Sequence, residues 1–232
     1  MSMAGREKAG LCAVALALFA MHPLARAQTA QDTTNPCGDP YAVTIGPFDY
    51  TNPIDVAQKI PVVELYHFNS DVENLIRGQT SVYIMEDLDY VLRAVPNHHR
   101  ALYSVARYQL QSGTPDPRYR SAECYFDRAM RFRPGDATVR LVHGIYLARK
   151  GDKAAAMKEY EAALAIDPRS AEAHYNLGLL YLEMNDFERA RAHAHKAYEL
   201  GYPLQGLRRK LERAGEWRAP AASSAAATPP AD

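Results

Sequence analysis

The residues best suited to chemistry are three histidines, His67, His98 and His99, with the acidic segment 86–89 between them in the chain. Imidazole nitrogens and carboxylate oxygens are common Zn²⁺ ligands, so this group is a candidate metal site for a metal-dependent enzyme. However, adjacent residues rarely bind one metal together, and no two histidines have the i, i+4 spacing that places them on one helix face. We therefore expect the three histidines to cap or pack locally, with no catalytic residue, metal or cofactor.

The other chemical motifs are absent from the sequence. It contains no GxSxG, HExxH, Walker A, CxxC or GxGxxG pattern, so the hydrolase, metalloprotease, nucleotide-binding and redox signatures are missing. His193 and His195 are two residues apart, so on a helix they face different directions and are expected at the surface. His143 and His174 are expected to pack inside the fold. The sequence therefore indicates a protein that is not an enzyme.

Charge and composition restrict the partner class. The 232 residues include 27 Lys plus Arg and 27 Asp plus Glu, a formal net charge of zero. Nucleic-acid-binding domains usually carry a strong basic excess, so no nucleic-acid partner is expected. The chain is 47% hydrophobic and 23% charged, which is typical of a globular protein with a buried core.

The first 27 residues have the pattern of a secretory signal peptide. Arg6 and Lys8 precede an uncharged apolar run at 11–21, and Ala25-Arg26-Ala27 is a small-x-small cleavage sequence. The alternative is an uncleaved anchor, but eleven apolar residues are too few for a helix that crosses a bilayer, which needs about 20. We expect a mature chain that starts at Gln28, has no transmembrane anchor, and acts in the periplasm.

After such cleavage two cysteines remain, Cys37 and Cys124. An even cysteine count in an exported protein favours a disulfide. The alternative is two unrelated thiols. The sequence also leaves open whether a bridge would form within one chain or between two.

A 34-residue period sets the architecture. Gly144 recurs as Gly178, Asp152 as Asp186, and Ala156 and Ala163 as Ala190 and Ala197. One period upstream, Ala122, Ala129 and Pro134 match Ala156, Ala163 and Pro168. Small residues at position 8 (Ala106, Gly144, Gly178) and position 20 (Ala122, Ala156, Ala190) allow two helices to cross closely. Proline at position 32 ends the second helix, and Asp152 and Asp186 are expected to cap the helices that follow them.

This period, with Gly at position 8, Ala at 20 and 27, an aromatic residue at 24 and Pro at 32, resembles the tetratricopeptide repeat (TPR). The layout is similar to that of a secreted bacterial TPR protein with an aromatic, proline-rich N-terminal arm. The resemblance implies an all-α fold: a right-handed solenoid of about three full repeats, a truncated repeat, a C-terminal capping helix and an extended N-terminal arm. The expected divisions are an arm at 28–70, a truncated repeat at 71–98, TPR 1 at 99–136 with a four-residue insertion, TPR 2 at 137–170, TPR 3 at 171–204, a capping helix at 205–217 and a disordered tail at 218–232.

The resemblance also implies a function, which is protein or peptide binding on the concave face and scaffolding. In this superfamily positions 2, 5, 9, 12 and 13 of each first helix line that face. On this chain we expect apolar anchors oriented by arginines, at Arg100, Tyr103, Arg107, Leu141, Ile145, Arg149, Tyr175 and Leu179. Glu172 and Glu183 fall at the same positions of the last repeat. The Lys/Asn carboxylate clamp of chaperone-binding relatives is not reproduced, because Tyr103 and Arg107 stand in the first repeat.

Two alternatives to a free groove remain. Residues 28–70 could lie in the groove and fill it, or the repeats could stack into a homo-oligomer with a structural role. The identity of a partner is not fixed by the sequence.

Overall fold

The structure, a computed structural model, describes residues 35–218. Within that range the chain is helical and forms no strand, which confirms the predicted all-α solenoid. The predicted signal peptide, and the predicted tail from residue 219 onward, lie outside the described residues. The helices in chain order are α1 (Pro53–Gln58), α2 (Ile60–His67), α3 (Ser70–Glu73), α4 (Ile84–Ala94), α5 (His99–Ser112), α6 (Ala122–Phe132), α7 (Ala137–Lys150), α8 (Lys153–Ile166), α9 (Ala171–Glu183), α10 (Phe187–Glu199) and α11 (Gly206–Arg213).

The helices begin and end where the repeat pattern predicts. Asp152 and Asp186 are the N-caps of α8 and α10, and their carboxylates accept from backbone N–H groups three residues ahead at 3.0 and 3.1 Å. α6 and α8 end two residues before Pro134 and Pro168. The four-residue insertion falls in the connection between α5 and α6, so it lengthens a turn without interrupting a helix.

Helix pairs build the solenoid. α7 packs against α8, and α9 packs against α10. Between repeats, α5 contacts α7, and α7 contacts α9. The first helices of the three repeats therefore form one continuous face. At the C-terminal end α11 covers the last repeat with Leu207 and Leu211, which are both fully buried, and so acts as the expected cap.

Close approach inside a repeat explains the glycine at position 8. A Cβ added to Gly144 would lie 2.5 Å from a ring carbon of Tyr160 on α8. A Cβ on Gly178 would lie 2.6 Å from Leu207 of α11. A larger residue would displace the side chain packed there, the Tyr160 ring at Gly144 or Leu207 at Gly178.

The N-terminal arm differs in part from the expectation. Residues 35–52 have no helix or strand, but 53–67 form α1 and α2 rather than extended chain. Pro53 and Pro61 lie in the first turns of these helices, where a missing N–H removes no helical hydrogen bond. Proline density therefore limits the length of these helices without preventing them.

The non-helical part of the arm is fastened to α6. A disulfide joins Cys37 to Cys124 with a Cα–Cα distance of 4.9 Å. Three arginines on or just before α6 donate to backbone carbonyls of the arm, from Arg120 to Cys37, from Arg128 to Asp39 and from Arg131 to Gly38. The arm thus lies against the second helices of the array.

A buried amide joins the arm to two repeats. The Asn97 side-chain nitrogen donates to Asp49 at 2.8 Å and to Asp136 at 3.0 Å, and its oxygen accepts from the Tyr50 N–H at 2.9 Å. Asp136 also caps α7, so one side chain links the arm, the loop before α5 and the start of the second repeat. None of the helices in residues 35–218 has the length and apolar character needed to cross a membrane.

Candidate functional site

An open cleft of about 500 Å³ lies along the first helices of the repeats. α5, α7 and α9 supply its floor, α3 closes one end, and the loop between α10 and α11 closes the other. The lining residues are Glu73, His99, Arg100, Tyr103, Val142, Ile145, Arg149, Glu172, Tyr175, Asn176, Tyr202 and Leu204. The cleft therefore combines tyrosine rings and aliphatic side chains with a few charged groups, a lining typical of ligand-binding sites.

Tyr103 lies at the centre of the cationic part of the cleft. The guanidinium carbon of Arg107, one helical turn along α5, is 5.2 Å from its ring centroid. The guanidinium carbon of Arg149 on α7 is 5.5 Å from the same centroid. Both distances are within the range of cation–π attraction, which fixes the ring and holds Arg149 beside it.

The other end of the cleft is formed by a tyrosine pair. The rings of Tyr175 on α9 and Tyr202 in the loop after α10 are 4.3 Å apart between centroids. Burial raises the pKa of Tyr202 to about 12, so its hydroxyl stays protonated at neutral pH. Tyr175 is only 7% exposed, so it forms the base of this end rather than a projecting anchor.

Arg100 and Arg107 differ from the expectation that they orient a partner. Arg100 makes a two-point ion pair with Glu73 and a further contact with Glu64 at 3.4 Å. Arg107 donates to the backbone carbonyl of Glu73. Both arginines therefore hold α3 against α5, and the charge of Arg100 is neutralised by carboxylates of the chain itself.

Two charged side chains of the cleft have no such partner. Among residues 35–218, Arg149 and Glu172 form no ion pair; both side chains reach solvent, and the walls of the cleft partly enclose the Glu172 carboxyl. Burial raises the pKa of the Glu172 carboxyl. A bound peptide segment could therefore pair a carboxylate with Arg149, beside Tyr103, and a hydrogen-bond donor with Glu172, near Tyr175.

Of the eight residues predicted to bind a partner, the structure places five in the cleft: Arg100, Tyr103, Ile145, Arg149 and Tyr175. Leu141 is 5% exposed and belongs to the core, and Leu179 packs against that core. Arg107 lies behind Tyr103.

The prediction missed several lining residues. Val142 and Asn176 both occupy position 6 of their repeats, so adding that position to the set would have found them. Glu73 comes from the truncated repeat, and Tyr202 and Leu204 come from the loop at the end of TPR 3, where the repeat pattern carries no signal for a cleft residue. His99, the first residue of α5, also lines the cleft.

The arm leaves the cleft open. No residue of 35–70 is among its lining residues, because the arm follows α6 and α1–α2 lie near α4. The alternative in which the arm fills the groove is therefore wrong for these residues. Residues 28–34 lie outside the described part of the chain.

The three candidate metal ligands each contact a different carboxylate. His67 pairs with Asp87 at 3.0 Å, His98 with Glu64 at 2.9 Å, and His99 with Asp136 at 2.8 Å. In residues 35–218 no three His, Cys, Asp or Glu side chains come together as metal ligands. The candidate metal site is therefore not assembled.

His98 has a structural role at the start of α5. Its ring is fully buried, its Nδ1 accepts from the Ala101 N–H at 3.2 Å, and its Nε2 faces Glu64. Burial lowers the pKa of His98, with the Glu64 carboxylate acting in the opposite direction. This is the local capping expected from the sequence.

Comparisons with known proteins agree with the repeat assignment. Residues 147–185 match the family described as "TPR repeat", and residues 171–201 match that described as "Tetratricopeptide repeat". The chain is 28% identical over 98 residues to the outer dynein arm-docking complex subunit 4 of Xenopus laevis. It is 36% identical over 75 residues to the TPR repeat-containing thioredoxin TTL4 of Arabidopsis thaliana.

These matches cover 42% and 32% of this chain, and the chain spans only 18% and 11% of the two proteins. Among solved structures, the crystal structure of MamA protein aligns with a TM-score of 0.48 at 19% identity, covering 68% of this chain and 83% of that one. The pilF structure of Pseudomonas aeruginosa aligns with a TM-score of 0.48 at 18% identity, covering 68% of each chain.

Proposed function

Because the chain belongs to the tetratricopeptide-repeat superfamily, we propose that it is a periplasmic scaffold that binds a protein or peptide partner in the cleft between α3 and the α10–α11 loop. Repeat proteins of this kind mediate protein interactions and are typically not enzymes. Beyond this general role, we propose that the partner binds in this cleft and that the protein acts in the periplasm.

The main evidence for the proposal is the open cleft, in which Arg149 and Glu172 form no ion pair with the described residues. Arg149 is held beside the Tyr103 ring but makes no ion pair within the described residues, so its guanidinium is available to a ligand carboxylate. Arginine can hold a carboxylate by two parallel hydrogen bonds. Ile145 and Val142 on the same helix supply apolar surface next to that point.

The arrangement indicates the chemistry of the bound segment. An acidic group would pair with Arg149, an apolar or aromatic side chain would pack on Ile145 and Tyr103, and a hydrogen-bond donor would reach Glu172. Buried aromatic and arginine contacts dominate the binding energy of most interfaces. We therefore expect Tyr103 and Arg149 to contribute more than the rim residues.

Selection of peptides by the purified protein tests this proposal and needs no candidate partner. A random peptide library displayed on phage is selected on the wild-type protein and, in parallel, on Tyr103→Ala. The proposal expects a family of acidic–apolar peptides that is enriched only on the wild type. Equal enrichment on both proteins would contradict binding in the cleft.

A second candidate function, a homo-oligomeric structural subunit, is favoured by a different surface. Val62, Leu65 and Tyr66 on α2 are 56%, 65% and 61% exposed, and they lie on one helical stripe at i, i+3 and i+4. Light scattering at micromolar protein concentration tests it. A dimer that dissociates on Leu65→Glu would support this candidate, and a wild-type monomer would reject it.

The compartment is supported by the apolar run at 11–21 and by the Cys37–Cys124 bridge, which persists in oxidising surroundings. Fractionation of cells, with intact-mass analysis of the product, tests it. We expect a periplasmic chain that starts at Gln28 with both remaining cysteines oxidised. A cytoplasmic chain that retains Met1 would contradict the proposal.

A further inference from the structure

Two histidines of the last repeat face each other away from the cleft. The Nδ1 atom of His174 on α9 lies 2.9 Å from the Nδ1 atom of His193 on α10. The Nε2 atom of His174 lies 3.2 Å from the backbone oxygen of Pro168. Both rings are partly buried, so His193, which was expected at the surface, is partly covered by α9.

The contact to Pro168 fixes the proton arrangement of this pair. A carbonyl oxygen only accepts hydrogen bonds, so the Nε2 of His174 carries a hydrogen and, in the neutral ring, its Nδ1 presents a lone pair. The Nδ1–H of His193 then donates to that lone pair. A histidine that binds a metal through one ring nitrogen commonly donates the N–H of its other nitrogen to a carbonyl oxygen, which fixes the tautomer and the ring orientation.

Both rings are neutral at pH 7. Burial lowers the pKa of His174, and burial together with the nearby His174 lowers the pKa of His193 to about 4. Neutral imidazole is the form that binds a metal ion, so no proton has to be removed from the pair before binding.

The preceding repeats show that packing does not require histidine at these positions. Thirty-four residues upstream the same two positions are Arg140 and Glu159, which form an ion pair at 3.0 Å. In the first repeat, Leu102 and Tyr125 occupy them, both buried. The solenoid therefore accepts an ion pair or an apolar pair here, and the histidine pair of the third repeat is a chemical specialisation.

We propose that His174 and His193 form a bidentate site for a late first-row divalent transition metal ion, namely Cu²⁺, Ni²⁺ or Zn²⁺. Imidazole nitrogen suits these ions, whereas Mg²⁺ and Ca²⁺ require oxygen ligands. Two ligand nitrogens on a tetrahedral Zn²⁺ are about 3.3 Å apart, so to admit the ion the two Nδ1 atoms must move apart by about 0.4 Å and both rings must rotate until their lone pairs converge on it.

Proton balance in the site is simple. The hydrogen on His193 Nδ1 moves through solvent to Nε2 of the same ring, and the metal takes its place between the two Nδ1 atoms. No net proton is released, and water completes the coordination because no third His, Cys, Asp or Glu in the described chain joins the pair. Of the neighbouring charges, Asp167 favours a bound cation, while Lys196 and Arg189 oppose it, so the affinity is expected to be moderate.

Metal titration of the full chain, with histidine ring signals followed by NMR, tests the proposal. The chelator-treated protein is titrated with Zn²⁺ and Ni²⁺ for NMR and with Cu²⁺ for calorimetry, and Mg²⁺ serves as the inert ion. We expect one ion per chain and ring-signal changes at His174 and His193. Binding that leaves both of these rings unchanged, or no binding of any of the three ions, would overturn the proposal.

The chain offers a matched variant. His174→Arg combined with His193→Glu copies the Arg140–Glu159 pair of the preceding repeat, so the fold is expected to be retained while the ligands are removed. The double variant should bind each ion about tenfold more weakly or worse, while His195→Ala, two residues along α10, should bind like the wild type. If the double variant loses its helical signal, His193→Gln replaces it with the same expectation. Unchanged affinity in the folded variant would reject the site.

Discussion

The guanidinium carbon of Arg149 lies 5.5 Å from the centroid of the Tyr103 ring, which joins the second repeat to the first across the floor of the cleft. The contact holds a cation at the surface beside an aromatic ring, and no carboxylate of residues 35–218 neutralises it. Arg100, by contrast, is fully engaged by Glu73 and Glu64. The two arginines lie on the same face of the solenoid, but of the two it is Arg149 whose charge is available to a partner.

Reversing the charge of Arg149 should weaken peptide binding. Arg149→Glu removes the cation–π contact and places a carboxylate where an acidic ligand group is expected, so we predict a loss of affinity of about tenfold or more. Fluorescence anisotropy with a peptide selected on the wild type measures it. Lys158→Glu, the same charge change on an exposed position of α8, is the control, and an equal loss in both variants would reject the role of Arg149.

Gly144 should tolerate no side chain. An added Cβ would lie 2.5 Å from Tyr160, so Gly144→Ala forces α8 to shift and should lower the free energy of unfolding by about 1–3 kcal/mol. Urea denaturation followed by circular dichroism measures the change. Gly135→Ala, where nothing lies within 4 Å of the added atom, is the matched control. A variant at Gly144 as stable as that control would contradict the packing argument.

Loss of the Asn97 amide should destabilise the junction of the arm and the repeats. Asn97→Ala leaves the carboxylates of Asp49 and Asp136 without the donor that lies between them and leaves the Tyr50 N–H without an acceptor. We predict a loss of about 2–4 kcal/mol in the free energy of unfolding, because buried groups lose their partners. Asn74→Ala, which removes one exposed hydrogen bond to Ser70, should cost much less. Similar losses in the two variants would count against the junction.

Lowering the pH should remove the stabilisation that the Asp87 carboxylate gives to the loop between α3 and α4. Its buried carboxylate accepts from the Gln79 and Thr80 N–H groups and from the Thr80 hydroxyl. Burial alone would raise the pKa of Asp87, but these hydrogen bonds and the one from His67 outweigh it, so the pKa is lowered.

A carboxyl with a lowered folded-state pKa adds stability above its unfolded pKa of about 3.9, and this contribution disappears as the pH falls below that value. Asp87→Asn should therefore be less stable than the wild type by about 2–3 kcal/mol at pH 7, with a smaller gap at pH 3. Urea denaturation at both pH values measures the gap. A stability difference between the two proteins that does not change with pH would contradict the role of the ionised Asp87 carboxylate.

The repeat period allowed most of the fold to be predicted. Position 8 glycines, capping aspartates and terminal prolines act through short-range geometry, so Gly144, Asp152 and Pro168 determine helix ends and crossings directly from the sequence. Pro53 and Pro61 misled the prediction, because proline in a first turn is compatible with a helix and position relative to the helix start is not visible in composition.

The cleft was harder to predict. Tyr103, Ile145 and Arg149 follow from repeat positions, whereas Tyr202 lies in the loop at the end of TPR 3 and Glu73 in the truncated repeat, outside the first helices of the full repeats. Arg100 and Arg107 have the correct positions but not the expected role, because the Arg100–Glu73 ion pair and the hydrogen bond from Arg107 to the Glu73 carbonyl depend on where α3 lies. Long-range pairing of this kind leaves no local signal in the sequence.

The most direct test of a partner-binding cleft is site-specific photo-crosslinking in the host cell with a probe at Arg149. We expect one dominant foreign protein in the crosslinked product, the same protein with a probe at Leu204, and its loss when Tyr103→Ala is added. A probe at Lys158 on the outer face should not capture it. Crosslinks from Arg149 only to the chain itself, or the same products from Lys158, would contradict the account.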